Sequence, residues 1–337
     1  MVEVSALMSV YNGERYVVST IDTILNQTFQ DFEFIIVNDG SNDKTQEILE
    51  SYKDPRIKLY SFCENKGVGA ALQFGLEKAQ GKYIAKVDAD DLYDNSRFEK
   101  QKVFLDNNPE VALVCAFIEY FPDNDEIKES ARYKCFKEIV EKQKQIVTTE
   151  DIQQEMYKYY CLSHTTMMVR SEAIKKFGYK DWRIAEDYCL AYTLNKHGYK
   201  MYNIPEVLAK VRMYNVSTTA TTEKIDNLSR IYDIKREEIY MLFESSNQVY
   251  IWGCGSFGRN VLKIFQSRGL KVKGFIDSNP KMHSSIVDGL LVYSPDILRQ
   301  KENNYKIIVA SQAGKFSIEK SLMSLGYKHL QDYLIYL

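Results

Sequence analysis

Residues 86–94 read KVDADDLYD, with four aspartates in seven positions directly after the apolar run YIAKV. Like charges repel at that density, and a run of this kind is ordinarily a solvated face. Acids also favour the first turn of a helix, a reading that suits Asp91 and Asp94. Asp88 and Asp90 stand differently, because they sit where a buried strand ends. Two carboxylates two residues apart there can converge on one divalent cation. Magnesium and manganese take oxygen ligands and share them with a substrate phosphate. Asp39, in VNDGS, ends another apolar run. It either caps the next helix, as Ser41 or Asp43 would, or accepts the N–H of a bound base. Tyr11 offers a flat face for that base, and stacking on an aromatic is worth about 1–3 kcal/mol.

These residues need elements to position them. The spacing predicts strands over 3–10, 32–37, 57–62, 83–87 and 111–120, with helices over 16–26, 44–52, 67–79 and 96–107 between them. Such alternation argues an α/β fold with a mostly parallel sheet. Ligands of such sheets gather beyond the carboxyl ends of the strands. The turns SVYNG, NDGS and DADD all fall there.

Residues 121–148 are polar and lysine-rich with little periodicity, and are expected to form a mobile loop. A helix is expected over 149–160 and a strand over 164–169. The acidic pair Glu186–Asp187 opens a helix that runs to 197. Strands follow near 200–203 and 207–212, then the turn-rich VSTTATT at 216–222, then one connecting helix over 223–246. After it the pattern restarts as VYIW, GCGSFG, a helix and KGFIDSN, a second α/β unit of about 90 residues. Gly253, Gly255 and Gly258 form GxGxxG after a strand, and Asp277 lies 19 residues beyond Gly258. In outline this is a dinucleotide fingerprint. Helix-on-strand packing, or docking of a partner chain as in a homo-oligomer, is the competing account of the glycines.

Composition narrows the classes. A chain of 337 residues suggests about two domains, here 1–220, a helical linker over 221–247, and 248–337. The net charge of −2 leaves no basic excess for nucleic acid. Lys137, Lys142 and Lys144 read as helix solubility rather than a contact with anionic lipid. The six cysteines form no CxxC pair and no two of the four histidines lie within four residues of each other, so neither a zinc site nor a redox dithiol is indicated. The N-terminus alternates like a strand rather than a secretion signal, and no run of 18 apolar residues exists. The cytoplasm is the expected compartment.

Three blocks, SALMSVYNGERYVVSTIDTILNQTF, FEFIIVNDGSNDKT and ENKGVGAALQFGLEKAQGKYIAKVDADD, together resemble the nucleotide-sugar-binding half of family 2 glycosyltransferases. The block order matches across residues 4–105 and more loosely to about 217. The resemblance implies a GT-A fold followed by a Rossmann-like domain. It implies that Ser9 and Tyr11 line a nucleobase pocket and that Asp39 pairs with uracil. Asp88 would meet the ribose or the surroundings of the metal, and Asp90 would coordinate a Mn2+ or Mg2+ ion bridging the diphosphate. Lys66 and Gly67 match the family's nucleotide-side loop. RIAEDYCLAYTLNKHG is similar to the acceptor-side acidic pair, with Asp187 as general base and Glu186 as the competing assignment. The late loop reads VRMYNVS, so Tyr214 stands where the family often has histidine. Arg212 would still meet the diphosphate, a tyrosine at 214 can donate to phosphate but is a poor ligand for magnesium, and His164 is either a satisfied core histidine or an acceptor contact.

The implied activity is inverting hexosyl transfer from a UDP-sugar to a saccharide or lipid-linked saccharide, in bacterial surface polysaccharide synthesis. The protein would then work in the cytoplasm or peripherally at the inner face of the membrane. The competing reading is a non-catalytic nucleotide-binding or scaffold protein. Nucleotidyl transfer is disfavoured, because no glycine-rich, Arg/Lys-bearing triphosphate loop follows the first strand.

Overall fold

A computed structural model describes residues 2–215, 224–300 and 304–337. The chain divides into two compact units, Met1–Met156 with Tyr160–Thr221, and Tyr157–Tyr159 with Thr222–Leu337.

The first unit is built on strands β1 (Val4–Val10), β2 (Phe32–Asn38), β3 (Ile57–Ser61), β4 (Tyr83–Asp88), β5 (Leu92–Tyr93), β6 (Val111–Pro122), β7 (Met168–Arg170) and β8 (Lys200–Met213). They form one sheet in the order β3-β2-β1-β4-β7-β6-β8-β5. The strands β1 to β4 pair in parallel, while β7 runs antiparallel to both β4 and β6. Residues of β1 and β2 are buried on both faces apart from Ser9, as expected of a parallel sheet covered by helices. Met8, Ile21, Phe34, Ile36, Val87 and Phe98 lie in one core there.

The register decides where chemistry can happen. Ser9 pairs with Val37 on one side and with Asp88 on the other. The carboxyl ends of β1, β2 and β4 therefore finish level. The winding also reverses at β1, with β2 and β3 to one side and β4 to the other. A crevice opens outside the strand ends at such a reversal.

Some elements differ from expectation, among them the strand expected over 164–169, where His164–Thr166 form a 3-10 turn and the strand is Met168–Arg170. The segment over 121–148 is not a loop: β6 runs on to Pro122, and helices Asp125–Glu129 and Ala131–Gln143 follow. Asn124 and Ser130 cap them by accepting the amides of Ile127 and Tyr133, each satisfying a donor that a helix start leaves free. The two strands expected over 200–212 are one strand, β8, and the β6–β8 register slips at Ile204–Val207, around Pro205, which has no N–H for the ladder. The single connecting helix is two, Lys224–Ile234 and Arg236–Ser245. The turn-rich stretch expected at 216–222 lies outside the described residues.

The second unit holds β9 (Val249–Trp252), β10 (Gly274–Ile276), β11 (Ile286–Val287), β12 (Leu290–Tyr293), β13 (Lys306–Val309) and β14 (Tyr333–Ile335). Their order is β11-β12-β10-β9-β13-β14. Leaving aside the antiparallel edge strand β11, this is the 3-2-1-4-5 parallel order of a doubly wound fold. Its core includes Trp252, Ile276, Val309 and Leu322. No described helix is long and apolar enough to cross a membrane.

Candidate active site

The acidic turn after β4 is held from several sides. Lys86, almost fully buried within the apolar strand β4, pairs its ammonium with the Asp88 carboxylate and donates to the Val87 carbonyl at 2.9 Å. Burial works against the charge on Asp88, but the Lys86 ammonium together with the hydrogen bonds from Lys86 and Thr165 holds the carboxyl below its usual range. Asp90 has a different partner, the Tyr214 hydroxyl, which donates to its Oδ2 at 2.7 Å. Burial, and then the charge of Asp88, push the Asp90 carboxyl up.

Asp91 opens no helix, contrary to the reading of it as first-turn charge; the next long helix starts at Arg97. It is buried instead. Its Oδ2 accepts the Thr165 hydroxyl at 2.7 Å and its Oδ1 the Arg212 amide at 3.0 Å. Tyr93 completes this support, with Thr165 Oγ1 2.7 Å from its hydroxyl. Asp91 thus frames the turn, while Asp88 and Asp90 face the crevice. Asp94 accepts the Ser96 amide at 2.9 Å at the entrance to the next helix.

Asp39 is buried, and both of its oxygens are engaged. Oδ1 accepts the Lys66 amide at 2.7 Å and Oδ2 the Gly67 amide at 2.8 Å. The contact with Lys66 is through its backbone. The Lys66 side chain is exposed and lies over the Phe62 ring at 4.8 Å. A carboxylate oxygen has two lone pairs, so Asp39 retains acceptor capacity for a base N–H. Tyr11 is 46% exposed and its hydroxyl accepts weakly from Asn42 at 3.4 Å. Ser9 sits level with Asp88 across the β1–β4 ladder.

Gly67 has a φ of +98°, which L side chains rarely adopt. A Cβ there would lie 3.0 Å from Cγ of Arg183. Arg183 in turn donates to Asn65 Oδ1 at 2.8 Å, and the Gly69 amide donates to the Trp182 carbonyl at 3.1 Å. The loop that Asp39 organises therefore abuts the segment leading into Glu186 and Asp187.

Those two acids open the helix Glu186–Lys196 behind Ala185, whose φ is +60°. Glu186 is buried and Asp187 partly open. Burial, and then the neighbouring Asp187, push the Glu186 carboxyl up to about 8. Burial pushes Asp187 up to about 6, held back by the Tyr188 amide, which donates to its Oδ1 at 2.7 Å, and raised further by Asp88. Burial thus raises both carboxyls, and Glu186, the more buried of the two in the structure, is raised the further. His164 is a partnered histidine, its Nε2 3.0 Å from the Tyr179 hydroxyl. Burial, and then Lys86, lower it to about 3, so it is neutral.

Sequence reasoning missed Lys86, Thr165 and Arg183. Lys86 carried a signal, a charge inside an otherwise apolar strand. Thr165 and Arg183 carried none. The role of Tyr214 was left open by the sequence; its hydroxyl donates to Asp90, because β8 ends beside β5 and delivers the ring to the acidic turn.

A divalent cation is implied by the resemblance. Among the described residues no three His, Cys, Asp or Glu side chains form a cage for one. Asp88 and Asp90, close enough to repel, fit a cation held by two carboxylates whose remaining ligands are diphosphate oxygens and water, the usual arrangement for magnesium beside a nucleotide.

The same architecture occurs in solved proteins. TarS 1–349 of S. aureus in complex with UDP-GlcNAc superposes with a TM-score of 0.56 at 18% identity, over 70% of this chain and 66% of that one. The mannosyltransferase PcManGT of Pyrobaculum calidifontis, in complex with GDP-Man and Mn2+, gives a TM-score of 0.52 at 18% identity, over 71% and 64%. The fold is thus the expected GT-A type, followed by a smaller α/β unit. Residues 245–331 match the family model described as C2185-like, N-terminal. The uncharacterized glycosyltransferase MJ1057 of Methanocaldococcus jannaschii is 34% identical over 254 residues, 74% of this chain and 83% of that one. The model described as glycosyl transferase family 2 matches residues 5–178, which contain the whole acidic turn and the 65–67 loop held by Asp39. The chain belongs to glycosyl transferase family 2.

Proposed function

We propose that the protein is an inverting glycosyltransferase that moves a hexosyl group from a UDP-sugar to a hydroxyl of a saccharide or lipid-linked saccharide. Residues 1–220 carry the reaction, and the helices Lys224–Ile234 and Arg236–Ser245 belong with the Rossmann-like unit of 248–337. The observation that carries this reading is the convergence of two loops. The donor-side loop held by Asp39 packs through Gly67 against Arg183, three residues before the acid pair. UDP-GlcNAc in TarS supports a uridine donor. Mn2+ in PcManGT supports a metal, which Asp88 and Asp90 would hold.

Each residue has a task. Tyr11 and Ser9 border the base, and Asp39 keeps the 65–67 loop in place while accepting from the base edge. A cation, when bound, neutralises charge on the departing diphosphate as a Lewis acid. Asp187 takes the proton of the acceptor hydroxyl as it attacks the anomeric carbon, and the sugar–phosphate bond breaks in the same displacement. Glu186, protonated, leaves Asp187 as the ionised member of the pair, the usual outcome when neighbouring carboxylates have their acidities pushed apart. Arg212 lies beside the turn, where its charge offsets that of the diphosphate.

The test is nucleotide release from a panel of UDP- and GDP-sugars, with and without manganese. Manganese-dependent turnover of a UDP-sugar is expected, and Asp90→Asn should abolish the metal dependence. Preference for a GDP-sugar, or turnover indifferent to metal, overturns the reading.

A further inference from the structure

The end of β8 grips the acidic turn at three atoms. The Arg212 amide donates to Asp91 Oδ1 at 3.0 Å, Arg212 Nε to the Asp90 carbonyl at 3.1 Å, and the Tyr214 hydroxyl to Asp90 Oδ2 at 2.7 Å. The gripping segment is itself braced. The Arg212 guanidinium lies 4.4 Å from the Tyr16 ring centroid and 4.6 Å from that of Phe121. The Tyr214 ring packs on Tyr16 at 5.4 Å.

We propose that Tyr214 is a positioning residue for the cation: it fixes one oxygen of Asp90 by hydrogen bonding, so that the other is presented to the metal in a set direction. This rests on the reading of Asp88 and Asp90 as cation ligands. Three physical points carry it. Asp88 has its charge offset by the buried Lys86, whereas Tyr214 is a neutral donor to Asp90. A phenol can orient the Asp90 carboxylate without adding a further positive charge beside the one that Lys86 already places on Asp88. Hydrogen bonds of this kind to metal-ligating carboxylates orient them, and their loss typically costs about 10–100-fold in metal affinity. A hydroxyl spent on Asp90 is also not a free donor to phosphate, which separates this role from a phosphate contact.

The experiment is calorimetry of UDP binding, with and without manganese, for wild type and Tyr214→Phe. The substitution removes one oxygen from a partly exposed side chain, and thermal melts without metal confirm the fold. The expected result is a manganese requirement raised about 10–100-fold, with UDP affinity in the absence of metal unchanged. In the Asp90→Asn background the same substitution should then cost nothing further. Equal loss of UDP affinity with and without metal would mean a phosphate contact and overturns the proposal. So does an unchanged manganese requirement in a manganese-dependent protein, which leaves the cation site itself standing. A wild type whose UDP binding ignores manganese removes the cation site, and this inference with it.

Discussion

Asp39 Oδ2 accepts the backbone N–H of Gly67 at 2.8 Å, while Oδ1 accepts that of Lys66 at 2.7 Å. One carboxylate at the end of β2 thus fixes the start of the helix Val68–Lys78 and, through Gly67, the position of Arg183. Asn at this position can satisfy only one amide, because its NH2 group would face the other N–H donor to donor. Asp39→Asn is expected to destabilise the first unit by about 1–3 kcal/mol, the range for a charged hydrogen bond lost in a buried setting. UDP affinity should fall together with stability. A thermal melt and a UDP titration check both; a variant with wild-type stability and affinity would remove Asp39 from the donor site.

Asp187 is assigned the acceptor's proton. Asp187→Asn should leave UDP affinity intact and lower turnover by about 10²–10⁴-fold. Its carboxyl is pushed up to about 6, so in the wild type turnover should rise with pH through about 6 as the base ionises. The pH–rate profile of the wild type and the residual rate of the variant are the measurements. Loss of activity in Glu186→Gln with Asp187→Asn unaffected would exchange the two roles.

Glu186 gives a separate prediction about stability. Its carboxyl lies near 8 in the folded protein against an ordinary value of 4.5. A folded-state value raised in this way means that the protonated form is favoured by folding. The stabilisation is fully present below about 4.5 and is lost as pH rises through about 8, because the folded protein must then surrender a proton or hold a buried charge. Glu186→Gln cannot ionise. Its melting temperature should therefore fall less than that of the wild type between pH 5 and pH 9. Parallel melting curves across that range would show that burial of Glu186 carries no such linkage.

The strand ends were readable because their signals are contiguous. DADD follows an apolar run, and VNDG follows another, so a short window holds both the strand and its polar exit. The helix Ala131–Gln143 was not readable, because Val140 is its one buried residue and no apolar stripe is left to recognise. Its one local signal was the cap Ser130, a single residue. The supports of the site were hidden for another reason. Thr165, Arg183 and Tyr214 reach the acidic turn and the 65–67 loop from 74, 116 and 124 positions away in sequence (Thr165 to Asp91, Arg183 to Gly67, Tyr214 to Asp90). Nothing local marks such contacts.

The glycine turn of the second unit can be divided by sterics. A Cβ on Gly258 would lie 1.8 Å from the Gly253 carbonyl oxygen, and one on Gly253, at φ +117°, 2.5 Å from the Ala310 carbonyl oxygen. Both glycines let backbone approach backbone where the helix Ser256–Ser267 leaves β9. Asp277 also works inside the turn, accepting the Cys254 amide at 2.9 Å and the Asn279 amide at 2.9 Å. Packing therefore accounts for Gly253, Gly258 and Asp277. Gly255 is different: a Cβ there meets nothing within 4 Å, and its φ of −71° suits any residue. Gly258→Ala is expected to destabilise the second unit by about 1–3 kcal/mol, the cost of overpacking, whereas Gly255→Ala should leave its melting temperature unchanged. Stability is thus the control that makes Gly255→Ala informative in titrations of the intact protein with UDP or NAD. If Gly255→Ala melts early as well, the turn is tighter than its geometry indicates, and the division between packing and open positions fails.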